Sequence, residues 1–194
     1  MMRTPGATRS WCRVRRLALG SVLVVAVVAC REPVTTPGAA ERSFVAALIP
    51  HHHLGQELNG TAAWSAEDVR LRGLVFEMGG YHARELALME RWAGDWDVPL
   101  AEDFPGNLER RRIDGLADLR GTDFDTEWLV LMIDHHDGAV DLADTQLRVG
   151  RMDEARDLAT EVRKVQSDEL AKMRALLGEL CATSPRALGC RSAR

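Results

Sequence analysis

The chain contains one sequence pattern twice, at a distance of 84 residues. When the chain is shifted by that distance, residues 44–92 align with residues 128–176 without a gap. A His-His pair and a Glu-Leu-Ala-x-Met run recur in that register, at residues 51–52 and 135–136, and at 85–89 and 169–173. A rare pair and a longer run in one ungapped register indicate a fold built from two copies of one unit.

The apolar residues of each copy recur at steps of three and four, which is the period of a helix. Ser65 with Asp68 predicts a capped start for the second helix, Asp125 a cap for the third, and Gly150 its end. Pro50 falls inside the first helix and removes a backbone donor there. The predicted helices are 41–60, 66–95, 126–149 and 152–180.

A long segment, residues 96–125, joins the two copies and is interrupted by prolines and glycines. We expect at most a short helix within residues 107–120. Two short-turn hairpins joined by one long crossover predict a ferritin-like four-helix bundle, an all-α fold whose cofactor sites lie between facing helices. The predicted domains are a signal peptide at 1–29, a tether at 30–40, the bundle at 41–180 (repeats 44–92 and 128–176, crossover 96–125) and a tail at 181–194.

The N-terminus has the features of an export signal. Residues 1–30 contain no acidic residue, and Arg13, Arg15 and Arg16 stand just before the apolar run 17–29. This run is short for a membrane span and ends in small residues. Residues 27–30, Val-Val-Ala-Cys, resemble a bacterial lipobox, which implies cleavage before Cys30 and a lipid on its sulfur. An ordinary signal peptide or a short membrane anchor is the alternative. We therefore expect an exported protein, anchored to the cell membrane by lipid and facing the periplasm or the exterior.

Charge and cysteine content agree with that location. Removal of residues 1–29 takes away five basic residues and no acidic one, which leaves 20 basic and 29 acidic residues and a net charge of −9. An acidic surface repels nucleic acid and attracts cations. Cys181 and Cys190 remain as a pair without CxxC spacing, and in an oxidising compartment we expect one disulfide that closes the tail.

Histidine is concentrated near the two repeated pairs. His82, Glu85 and Met89 share one helix face, as do Gln166, Glu169 and Met173 in the second copy. Gly55 and Gly138 leave the backbone bare beside the histidines, which permits close helix approach. Imidazole is the commonest protein metal ligand, imidazole with thioether suits copper, and carboxylates favour harder or borderline ions. The alternative is a core polar network in which Gln166 or Glu169 satisfies buried histidines.

Two segments match a known family. Residues 133–143 (IDHHDGAVDLA) and 166–176 (QSDELAKMRAL) resemble the two hallmarks of the bacterial family called domain of unknown function 305, and 49–58 with 82–92 form a weaker copy. The resemblance implies an exported ferritin-like bundle. Some family members are associated with copper binding or tolerance through sites rich in methionine and histidine. Leu142 stands where members often have Met, and His82 replaces the Gln of the hallmark. Cu(II) or Zn(II) therefore fits as well as Cu(I).

The sequence favours a metal-binding protein that buffers or delivers copper, with zinc as a second ion. One alternative is a ferritin-like oxidase, but a di-iron centre needs Glu-x-x-His twice, whereas this chain has His82-x-x-Glu85 once. Another alternative is a structural or partner-binding lipoprotein without metal. No catalytic residue is predicted, and whether the two histidine pairs share one site depends on the helix crossing. The predicted metal ligands are His51, His52, His82, Glu85, Met89, His135, His136, Asp141, Glu169 and Met173.

Overall fold

The computed structural model describes residues 36–100 and 107–192, and within these ranges the chain is helical without a β-strand. Two short helices, α3 and α6, accompany four long ones, and the 3₁₀ turn Leu116–Asp118 follows α3. The helices are α1 (Ala39–Ser65), α2 (Val69–Asp95), α3 (Asn107–Gly115), α4 (Gly121–Val149), α5 (Asp153–Thr183) and α6 (Leu188–Ser192). The predicted all-α four-helix bundle of two hairpins with a long crossover is confirmed.

The predicted signal peptide, Cys30 and most of the tether lie outside the described residues. None of the helices in the described part of the chain is long and apolar enough to cross a membrane.

Two of the predicted helix starts are wrong. The cap of α2 is Asp68 alone, whose carboxylate accepts a hydrogen bond from the Arg70 N–H at 2.8 Å, whereas Ser65 is the last residue of α1. The helix α4 begins at Gly121, which has a φ of +59° that glycine adopts without strain, and Asp125 lies inside it. The predicted end of α4 at Gly150 is confirmed.

Asp125 instead caps the neighbouring hairpin. Its buried carboxylate accepts hydrogen bonds from the backbone N–H groups of Glu67 and Asp68, at 3.1 and 2.9 Å, just before α2 begins. This contact could not be read from local sequence, because the cap and the capped residues are 57 and 58 positions apart.

Glu41 makes the equivalent contact from the first hairpin to the second. Its Oε1 accepts hydrogen bonds from the backbone N–H groups of Arg151 and Met152, at 2.6 and 3.1 Å, just before α5 begins. Glu41 and Asp125 are separated by the 84 residues of the predicted repeat. Each hairpin therefore caps the second helix of the other, and the anionic carboxylates lie where the helix dipole favours negative charge.

Glu41→Ala should lower the free energy of unfolding by about 1–2 kcal/mol, the usual effect of losing an N-terminal cap. Burial by itself would raise the pKa of Glu41, but the backbone N–H groups hold it at about 2, below its ordinary 4.5. Since the folded pKa is depressed, the stabilisation is complete above pH 4.5 and is lost as pH falls towards 2. Chemical denaturation of Glu41→Ala and of the exposed control Glu77→Ala should show the loss at pH 7 for the first variant alone.

The core of the bundle is divided by a layer of polar side chains. The first apolar cluster, which includes Leu58, Leu71 and Trp128, fills the end of the bundle where α1 meets α2. The second apolar cluster, which includes Leu48 and Val162, fills the opposite end. Between them each long helix contributes to what we call the polar layer: His51, His52, His82, Glu85, His135, His136, Gln166 and Glu169.

The C-terminal tail is fixed to the second hairpin. The predicted disulfide between Cys181 and Cys190 is confirmed, and it ties α6 to α5. On the other side of α6, a Cβ added to Gly189 would lie 2.2 Å from the carbonyl oxygen of Thr126, so only glycine permits this approach to α4.

Candidate metal centre

Two buried His–Glu pairs form the outer parts of the polar layer. His52 Nε2 lies 2.7 Å from Glu85 Oε2, and His136 Nε2 lies 2.9 Å from Glu169 Oε2. Both pairs span 33 residues and are related by the 84-residue shift. A carboxylate that accepts a hydrogen bond from one ring nitrogen fixes the orientation of the ring. The other nitrogen of a neutral ring then carries the lone pair that can bind a metal ion.

The two histidine pairs converge in one place. His51 stacks on its repeat equivalent His135, with ring centroids 3.8 Å apart and an angle of 23° between the planes. His82 lies between the two His–Glu pairs, with its ring centroid 4.8 Å from that of His52 and 5.7 Å from that of His136. The helix crossing, which the sequence does not determine, therefore brings five imidazoles from α1, α2 and α4 together.

His82 is buried in this layer without a hydrogen bond to the described residues. Its residue is 1% exposed, and neither ring nitrogen has a hydrogen-bond partner among the described residues. The Nδ1 atoms of His52 and His136 are likewise buried without such a partner. Buried polar atoms normally find partners, so several orphaned ring nitrogens in one layer point to a bound group that completes them.

Burial holds two of the histidines, His82 and His135, in the neutral form. Burial lowers the pKa of His82 from 6.5 to about 2, and the neighbouring histidines, His52 first among them, lower it further. Burial, followed by His136 and His52, lowers the pKa of His135 to about 3. Neutral imidazole is the form that binds metal ions, because the proton of the charged form occupies the lone pair.

Glycine gives the histidine rings their space. A Cβ on Gly55 would lie 2.7 Å from His135 Nε2 and 3.2 Å from His82 Cε1. Two histidine rings therefore pack directly against the α1 backbone at this position. A Cβ on Gly138 would lie 3.2 Å from His51 Nε2. The expectation that both glycines leave room beside the histidines is thus confirmed.

Gly55→Ala should lower the free energy of unfolding by about 1–3 kcal/mol, because the added methyl group displaces packed rings. Gly60 lies on the same helix with open space around it, so Gly60→Ala should raise the free energy of unfolding by up to about 1 kcal/mol through helix propensity. Urea titrations of the two variants check these opposite signs. Equal effects of both substitutions would show that the rings do not need the space at Gly55.

The structure leaves three predicted ligands outside the polar layer. Asp141 is exposed, because five residues after His136 the helix has turned by roughly 140°. Met89 is fully buried in the second apolar cluster and Met173 in the first. Gln166, which the sequence placed on one helix face with Glu169 and Met173, lies in the layer. Its amide is buried and has no hydrogen-bond partner among the described residues.

The donor groups are close together but not yet in the arrangement of a metal site. Within residues 36–100 and 107–192, no three histidine, cysteine or acidic side chains are already grouped to hold an ion. The distances above are those between neighbouring rings, whereas metal-bound nitrogens lie about 2 Å from the ion. Some of the rings must turn before several nitrogens can reach one point.

Comparison with known proteins supports the fold. A DUF305 fragment from Deinococcus radiodurans is 24% identical with a TM-score of 0.68, and the match covers 74% of this chain and 99% of that one. A DUF305 protein from Streptomyces coelicolor is 23% identical with a TM-score of 0.66, covering 73% and 92%. The structure of CopM in its Cu(I)-bound form is 26% identical with a TM-score of 0.63, covering 72% and 96%.

No curated protein sequence matches the chain. The family model described as Domain of unknown function (DUF305) matches residues 94–177, which include the crossover, α4 and most of α5. The family resemblance predicted from the sequence is thereby confirmed: residues 94–177 match the DUF305 family model.

Proposed function

We propose that the protein binds a transition metal ion in the polar layer and that copper is its principal ion. The observation that carries this proposal is His82, whose two buried ring nitrogens have no hydrogen-bond partner among the described residues. Its ring lies beside those of His52, His135 and His136. A purely structural layer would leave these atoms unsatisfied, at about 1–3 kcal/mol each. A metal ion with three or four imidazole nitrogens would satisfy them.

The chemistry of the donors favours copper or zinc. Five imidazoles dominate the layer, and imidazole suits copper and zinc, whereas oxygen-rich sites suit magnesium, calcium and manganese. Only two carboxylates of the described residues, Glu85 and Glu169, lie in the layer, fewer than a di-iron centre takes. CopM has been solved in Cu(I)-bound and Cu(II)-bound forms, at 26% and 25% identity to this chain, and this similarity supports copper over zinc.

The residues that would hold the ion follow from the contacts. His82 offers two ring nitrogens that have no hydrogen-bond partner among the described residues, and His52 and His136 each offer Nδ1. His135 contributes a neutral ring beside them. Glu85 and Glu169 would hold the two paired rings and balance the charge of the cation. Met89 and Met173 would contribute the apolar walls above and below the layer, which keep water away from it.

The arrangement suits a protein that stores or hands over metal. A site that forms only after rings turn can also open again, and the net charge of −9 without residues 1–29 attracts cations. We propose that the protein is exported and that lipid on Cys30 anchors it, so that the site faces the periplasm or the exterior.

The anchoring proposal predicts that the wild-type protein partitions into detergent and that Cys30→Ser accumulates as an uncleaved precursor. Fractionation with Triton X-114 and the mass of each form check this. Efficient cleavage of Cys30→Ser to a water-soluble mature form would indicate an ordinary signal peptide.

The metal proposal is tested by elemental analysis of the exported protein, purified without an affinity tag and then titrated with copper and zinc. Combined substitution of His135→Ala and His136→Ala should abolish binding and leave the helical circular dichroism largely intact. His53 is exposed and pairs with Glu90 at the surface, so His53→Ala is the matched control and should bind like wild type. Wild-type protein that binds neither ion would overturn the proposal.

A further inference from the structure

The outer face of α2 carries apolar and small residues where solvent-exposed helices normally carry charge. Its members recur at steps of four and three and are all exposed: Val69, Gly73, Phe76, Gly80, Ala83 and Ala87. We call these six residues the α2 outer face. Phe76 is 86% exposed, which is unusual for a side chain of this size. Apolar and small residues in a heptad pattern are typical of a helix that packs against another helix.

The second hairpin shows that the fold itself does not require this face. The positions 84 residues later lie exposed on α5, and most of them are charged or polar: Asp153, Asp157, Thr160, Lys164, Ser167 and Ala171. The same position in the bundle is thus an ordinary solvated surface in one copy. The described part of the chain leaves these apolar residues of α2 uncovered.

A groove beside Phe76 contains an unsatisfied polar group. It has a volume of about 630 Å³ and lies between α1 and α2, where Gly60, Gly79 and Gly80 keep it open. Asn59 lines it and is 6% exposed, and its amide nitrogen and oxygen have no hydrogen-bond partner among the described residues. The exposed ring of Phe76 thus lies next to a groove large enough for an aromatic ring. The same groove contains the Asn59 amide, which lacks a partner among the described residues.

We propose that this face binds the same face of a second copy of the chain, as an antiparallel α2–α2 pair about a two-fold axis near Gly80. A two-fold interface must be self-complementary, and a ring beside a hollow meets this condition because each copy can fill the hollow of the other. The charges agree with it. Glu77 and Arg84 line the groove on either side of Gly80, so the axis brings Glu77 of each copy to Arg84 of the other.

These charged groups are available for such a contact. Glu77 pairs with Lys172 at 2.9 Å in an exposed ion pair, and Arg84 lies over the Tyr81 ring, 4.5 Å from its centroid. Exposed pairs of this kind contribute little to the free energy of unfolding. Glu77 can therefore pair with Arg84 of the second copy at little cost. The glycines let the two helices approach closely, which a membrane contact would not need.

The test is the mass of the exported protein by sedimentation equilibrium at tens of micromolar, together with cysteine cross-linking. Wild type should have the mass of two chains, and Phe76→Glu that of one. At Gly80 an added Cβ would meet only the end of the Arg84 side chain, at 3.8 Å, so Gly80→Cys fits the fold. It should form a cross-linked dimer with diamide because the two thiols meet at the axis. The matched controls are the equivalent positions on α5. Thr160→Glu should stay dimeric, and Lys164→Cys should not form a cross-linked dimer.

A wild-type mass of one chain would overturn the proposal, and so would equal cross-linking of Gly80→Cys and Lys164→Cys. A monomeric wild type that binds phosphatidylglycerol vesicles, and loses this binding in Phe76→Glu, would overturn it too and assign the face to a lipid surface. Because none of these measurements depends on copper, failure here leaves the metal proposal standing.

Discussion

His82→Leu should abolish metal binding without lowering the stability of the metal-free protein. Loss of a ligand at the centre of the layer should weaken copper binding by at least roughly 100-fold. The substitution also removes two buried ring nitrogens that have no hydrogen-bond partner among the described residues, so the free energy of unfolding should stay the same or rise by about 1 kcal/mol. Competition with a chelator gives the affinity, and urea denaturation gives the stability.

The two possible roles of His82 give opposite results in this experiment. If its ring were a satisfied part of a core polar network, removing it would leave partners unpaired and lower the free energy of unfolding. Gln166→Leu is the matched control, because Gln166 is the repeat equivalent of His82 and its amide is also buried and unpartnered. We expect Gln166→Leu to retain the copper affinity. A His82→Leu variant that is destabilised and still binds copper would contradict the account.

The metal-free protein should unfold in mild acid. Both His82 and His135 have folded pKa values, about 2 and about 3, that lie below the ordinary value of 6.5. Since the unfolded state then binds protons more readily, stability is complete above pH 6.5 and is lost as pH falls below it. Each histidine removes about 1.4 kcal/mol for each pH unit below 6.5, so by pH 4 the loss is about 7 kcal/mol, comparable with the whole stability of many domains.

Circular dichroism as a function of pH checks this prediction. The transition should lie above pH 3, and His82→Leu should move it to lower pH because one of the two buried titrating groups is gone. Helical structure that persists to pH 2 in wild type and variant alike would show that the buried imidazoles are protonated without unfolding, and therefore that the layer is open to water.

Much of the architecture could be predicted from sequence because it depends on local periodicity. The helical spacing of apolar residues predicted the four long helices, and Gly150 predicted where α4 ends. Gly55 and Gly138 were predicted to lie beside the histidines, where the missing side chain leaves space. A Cβ added at either position would indeed contact a histidine ring. These features require only residue types and spacing along a single helix.

The remaining features depend on contacts between helices. Asp125 looks like a local cap in the sequence, but it caps α2 from inside α4, since the bundle brings its carboxylate to the start of another helix. The stacking of His51 on His135 depends on the crossing of α1 and α4. Asp141 belongs to the family hallmark by resemblance, yet the helix turns it to solvent. No local pattern contains this information.

The stoichiometry of copper binding tests whether the two histidine pairs form one shared metal site, as we propose. Metal-free protein should take up one tightly bound copper ion per chain in a calorimetric titration. That binding should be lost both on combined substitution of His51→Ala with His52→Ala and on combined substitution of His135→Ala with His136→Ala. Two independent equivalents, each lost with its own pair, would contradict the account.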